Sequence, residues 1–73
     1  MDTQARKYIE FGKNIARLRK AKGFTQERLS EISGISENHL AKLERAVRKP
    51  SFDLIFKIAE ALEVSEKELF DFD

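Results

Sequence analysis

Polar and apolar positions along this chain recur at helical spacing, and nowhere do they alternate as they would in a strand. Tyr8, Phe11, Ile15 and Leu18 fall at intervals of three and four with Ala16 beside them, predicting a first helix that begins at Tyr8 and stops at Gly23. Residues 1–7 are polar and read as an irregular lead-in to a single domain over 8–73. Gly12 interrupts the pattern at a cost of about 1 kcal/mol in helix propensity, so either the helix starts after it or a neighbour packs closely there. Phe24 then plugs the space before the next helix.

Two short amphipathic segments follow, each opened by a hydroxyl residue fit to cap a helix, Thr25 and Ser36. Gly34 between them supplies the positive φ of a helix stop. Leu29, Ile32, Ile35, Leu40 and Leu43 form the expected inner stripe. Glu37, Asn38, Ala41, Lys42 and Arg45 are left on the outer side of the second segment. Two helices joined by a short Gly turn make a helix-turn-helix, an arrangement whose second helix can enter the DNA major groove.

Pro50 ends any helix running through Ala46-Val47-Arg48-Lys49, and Ser51 caps a fourth helix with Phe52, Ile55, Ile58, Ala59 and Leu62 as its buried stripe. Leu54, Phe56 and Ala61 widen that apolar surface beyond what one small core needs. Ser65-Glu66-Lys67-Glu68 reads as a capping box for a last short helix carrying Leu69 and Phe70. The expected fold is all-α, a five-helix bundle with short connections.

Composition adds constraints. At 73 residues and 41% hydrophobic, the core is small and its stability depends on close packing or self-association. With no cysteine there are neither disulfides nor thiolate metal sites, which fits a reducing cytoplasm. No apolar run approaches the roughly 20 residues that span a bilayer, so no membrane partner is expected. The net charge of +1 hides an asymmetry: residues 1–50 hold twelve Lys/Arg against six acids, and residues 51–73 hold two Lys against seven acids. That suits one face turned to a polyanion and another to a protein partner. His39 is the only histidine, with no second ligand at metal spacing, and no serine is paired with a base. No metal, cofactor, small-molecule ligand or enzymatic activity is expected; His39 is either a contact to a phosphate or base or an ordinary surface group.

Residues 11–70 resemble the Cro and phage-repressor type of helix-turn-helix domain. The resemblance is carried by Ile15-Ala16-Arg17-Leu18-Arg19-Lys20-Ala21-Lys22-Gly23-Phe24-Thr25-Gln26-Glu27, by Leu43-Glu44-Arg45 followed by Pro50-Ser51, and by Ile58-Ala59-Glu60-Ala61-Leu62-Glu63-Val64-Ser65. Overall size and the basic first half also resemble controller proteins of restriction-modification systems. The resemblance implies a repressor-like bundle that regulates transcription, with residues 36–45 as the recognition helix. It implies that Gln26 donates to a DNA phosphate and braces that helix, with Thr25, Arg28, Arg45, Arg48, Lys49 and Ser51 also along the backbone. Glu37, Asn38, His39, Ala41 and Lys42 take the base-reading positions. Arg19 and Glu44 match an internal ion pair between the first and recognition helices; the rival reading puts Arg19 on phosphate.

Two positions depart from the family pattern. Glu37 stands where a donor to adenine is usual; as an acceptor it either meets cytosine N4 or folds back onto Gln26 or Arg28. Ala46 replaces a glycine, so either a positive φ there is strained by about 1 kcal/mol or more, or the helix runs longer. Phe56, Phe70 and Phe72 either close the small core or, with Leu69, form a surface joining two copies, which would impose a palindromic operator. The alternative is a protein-interaction module, antitoxin-like or regulator-binding, that works through the acidic, aromatic C-terminal segment.

Overall fold

Four hydroxyl caps set the helix starts. The backbone N–H groups of Arg28, His39, Leu54 and Glu68 donate to the side-chain oxygens of Thr25, Ser36, Ser51 and Ser65 at 3.0, 3.1, 3.2 and 3.3 Å. The computed structural model describes residues 3–72. They form five helices: α1 (Thr3–Ala21), α2 (Gln26–Ser33), α3 (Glu37–Glu44), α4 (Phe52–Leu62) and α5 (Glu66–Leu69). α1 packs on α3 and α5, α2 on α3 and α4, and α4 on α5.

α1 begins at Thr3, so the lead-in expected over residues 1–7 is helical wherever it is described. Gln4, Ala5, Arg6 and Lys7 are good helix formers, and nothing among them breaks the turn. Residues 1 and 2 lie outside the described residues.

The helix stops follow local chemistry. After α1, Gly23 sits at φ +77°, with Gly23 N–H donating to Lys20 O and Phe24 N–H to Arg19 O. The same paired closure ends α3, where Ala46 N–H donates to Leu43 O and Val47 N–H to Lys42 O. Ala46 therefore takes φ +61°, and the helix does not run on.

The core gathers Phe11, Ile15, Leu29, Ile35, Leu40, Leu43, Ile55, Ile58, Ala59, Ala61, Leu62 and Leu69, with Leu18, Phe24, Leu54, Val64 and Phe72 packed at its margin. Three expectations fail here. Ile32 is 41% exposed: α2 buries Leu29, whereas Ile32, one turn on, lines an open cleft beside Phe56 and Lys57 of α4. Phe52 is 79% exposed: it is the first residue of α4, ahead of the core contact, and its ring lies over Phe56 at 6.4 Å. Leu69 is fully buried and completes the core, so it cannot belong to an intermolecular surface.

Gly12 decides how α1 and α3 meet. A Cβ at this position would lie 2.6 Å from the carbonyl oxygens of both Leu43 and Glu44, so α1 crosses the end of α3 backbone to backbone. About two turns further along α1, Arg19 reaches the same end of α3. Its Nε donates to Glu44 Oε2 at 2.7 Å, Nη2 to Oε1 at 3.2 Å and Nη1 to Phe24 O at 2.7 Å. Gln26 Nε2 adds a bond to Glu44 Oε1 at 2.9 Å. The two charged side chains are only 9% and 7% exposed, so removing one would strand the other and cost about 3–5 kcal/mol. Arg19 is thus engaged inside the fold, not on a surface open to phosphate.

α5 is tied down by Asn14, whose Nδ2 donates to the backbone oxygens of Glu68 (3.0 Å) and Leu69 (2.8 Å) while Oδ1 accepts from Arg17. Replacing Gly12 by Ala should lower stability by about 1–3 kcal/mol in urea unfolding, because overlap with two carbonyls outweighs the gain in helix propensity. A stabilised variant would contradict the backbone contact. Ala46→Gly should raise stability by about 0.5–1 kcal/mol in the same assay, as relief of the left-handed strain exceeds the entropy of the added glycine.

Candidate nucleic-acid interface

The burial of α3 is one-sided. Leu40 and Leu43 are buried, and Glu44 is held by Arg19 and Gln26. The opposite side carries Glu37, Asn38 and Arg45, all exposed, with Ala41 and Lys42 half-buried. Successive residues turn by about 100°, which is why 37, 38, 41, 42 and 45 share that side. Among the described residues, the Asn38 and Glu37 side chains have no hydrogen-bond or ion-pair partner. A free amide offers a donor and an acceptor together, the pattern that matches the adenine edge. Glu37 does not fold back onto Gln26 or Arg28, so its carboxylate remains an outward acceptor.

Gln26, half-buried at the start of α2, is committed through one amide proton to Glu44. Its second amide proton and the N-terminal backbone of α2 remain to meet an anion. Thr25 and Ser51 are exposed; each accepts a capping bond and still has a hydroxyl proton to donate. Arg28, Arg45, Arg48 and Lys49 are exposed cations on α2, the end of α3 and the loop beyond it. Lys49 Nζ stands 5.4 Å from the centroid of the Tyr8 ring.

His39 does not belong with this set. It is half-buried, and its Nε2 is enclosed without a hydrogen-bond partner, so that nitrogen is not offered to a ligand in solvent. His39 lies between the outward residues and the buried Leu40 in sequence, which counting from the cap alone did not separate.

The expected self-association residues divide. Phe56 is 56% exposed and stacks with exposed Phe52; it also borders a cleft with Ile32, Asp53, Lys57 and Glu60. Phe70 instead packs its ring on Phe11 with centroids 5.0 Å apart, and Phe72 packs against the core. Sequence reasoning missed Asn14 altogether. The available signal was its place beside Phe11, Ile15 and Leu18, since a polar group on a buried face needs partners.

Comparisons with known proteins give the arrangement its context. Residues 15–69 match the HTH_3 helix-turn-helix family. The chain is 47% identical over 58 residues to the uncharacterized HTH-type transcriptional regulator y4dJ of Sinorhizobium fredii, covering 80% of this chain and 75% of that one. It is 35% identical over 63 residues to the control protein C.BamHI of Bacillus amyloliquefaciens, covering 85% and 78%. The crystal structure of the restriction-modification controller protein C.AhdI from Aeromonas hydrophila superposes with a TM-score of 0.85 at 38% identity, over 86% of this chain and 96% of that one. With its all-helical bundle and outward-facing α3, the chain belongs to the HTH_3, Cro/C1-type family of DNA-binding helix-turn-helix transcriptional regulators.

Proposed function

We propose that two copies of this chain bind a palindromic DNA operator, each laying α3 in the major groove. The observation that carries this is the unpartnered, exposed Asn38 beside Glu37 and Lys42 on a helix whose other face is locked into the core. Asn38 pairs through its amide with adenine N6 and N7, Glu37 accepts from cytosine N4, and Ala41 touches a thymine methyl. Lys42 meets a base or phosphate beside them. Thr25, Gln26, Arg28, Arg45, Arg48, Lys49 and Ser51 bind the phosphates that flank the groove and set the register of the helix. No cofactor enters this scheme, and a DNA ligand is consistent with a cytoplasmic protein. Similarity to C.BamHI and C.AhdI supports a stand-alone controller of this kind.

The two copies meet through α4. Phe56 projects beside its own cleft, so a two-fold axis seats each ring against the partner's surface. Asp53 and Lys57, paired at 3.1 Å within one chain, are self-complementary across antiparallel α4 helices. The recognition helices then fall roughly 34 Å apart, one DNA turn. The acidic tail offers less apolar surface than α4, because Phe72 packs against the core and Phe70, 48% exposed, rests one side of its ring on Phe11.

On a duplex selected from random sequence, log affinity should fall linearly with log salt. Asn38→Ala should cost roughly 1–3 kcal/mol there and little on scrambled DNA. Equal losses on both would move Asn38 to the backbone contacts, and flat salt dependence would contradict DNA binding. Phe56→Glu should yield a folded monomer in analytical ultracentrifugation; a dimer that survives it would place the two-fold axis elsewhere.

A further inference from the structure

α1 starts five residues before its apolar stripe requires, and those early turns have a neighbour. Tyr8 and Ile9 line a hollow whose far wall is Ala46, Val47 and Lys49, from the loop that leaves the recognition helix. That loop contains a left-handed alanine, a conformation that persists only where the surroundings enforce it. Its cation Lys49 lies over the Tyr8 ring at 5.4 Å yet remains exposed, so one side of the ammonium faces the aromatic and the other faces solvent.

We infer that Tyr8 is a positioning residue for DNA binding: its ring holds the Lys49 ammonium, and with it the loop after α3, in the place where a phosphate is met. A lysine on a four-carbon stem loses much rotamer freedom when it pairs with a phosphate. A ring that restricts it beforehand removes part of that loss from the binding step, as preorganisation does generally. Tyr8 itself touches no DNA. Its face carries the effect, not its hydroxyl, so phenylalanine serves equally well.

This rests on the chain binding DNA as proposed, and a double-mutant cycle on a selected duplex separates the two claims. Lys49→Ala should weaken binding and lower the slope of log affinity against log salt by about 1. Tyr8→Leu should weaken binding about twofold to fivefold, the range of an exposed cation–π contact. Tyr8→Phe should match the unsubstituted protein. The Tyr8→Leu and Lys49→Ala double variant should bind no more weakly than Lys49→Ala alone, with circular dichroism confirming that each variant is folded at the assay temperature. A merely structural Tyr8 would give losses that multiply in the double variant, and this overturns the inference while leaving DNA binding intact. Failure of Tyr8→Phe to rescue, or a Tyr8→Leu variant that binds normally, also overturns it. An unsubstituted protein that binds no duplex overturns both claims.

Discussion

The direction of α3, and with it the exposure of its outer face, depends on the contact between its C-terminal end and α1. Gly12 lets the α1 backbone approach the carbonyls of Leu43 and Glu44, and the salt bridge from Arg19 then clamps the Glu44 side chain that follows. Gln26 joins the same carboxylate, so α1, α2 and α3 converge on one acidic residue. An eight-residue helix has little stability of its own. α3 keeps its direction because α1 and α2 hold its last turn and Leu40 and Leu43 hold its inner face.

Fixing the inner face frees the outer one. Side chains that would otherwise compete for internal partners are either fully engaged, as Glu44 is, or left without any, as Asn38 and Glu37 are. The division also explains the charge asymmetry. Arg45, Arg48 and Lys49 put three of the seven exposed cations beyond α1 at the end of α3 and in the loop after it, and residues 51–73 hold seven acids against two lysines. Three of the five exposed large apolar side chains, Ile32, Phe52 and Phe56, lie on α2 and α4, a site compatible with self-association because it leaves α3 uncovered; Val47 and Phe70 are the others.

Much of this was legible in the residues. Thr25, Ser36, Ser51 and Ser65 announce their helices because a hydroxyl cap acts within one turn and needs no tertiary context. Gly23 and Gly34 mark stops for the same local reason. The pairing of Arg19 with Glu44, 25 positions apart, came from family resemblance, since spacing alone does not bring such residues together. What depended on packing was harder to see. Ile32 and Phe52 fit an apolar stripe by count, but the stripe does not state how wide a face the neighbours cover. Leu69 looked like surface at the end of a short helix until Asn14 drew α5 onto α1 and buried it. The apolar pattern begins at Tyr8 and so predicts a later start for α1 than Thr3, whereas the helix needs only residues that do not oppose it.

The most direct test of an outward-facing α3 is amide chemical-shift mapping by NMR as a selected DNA duplex is added to the protein. The largest shifts should fall on Gln26, Glu37, Asn38, Ala41, Lys42, Arg45 and Arg48, with Ile58 and Leu62 in the core of α4 nearly unmoved. Shifts centred on α4 and α5, with α3 silent, would contradict the account.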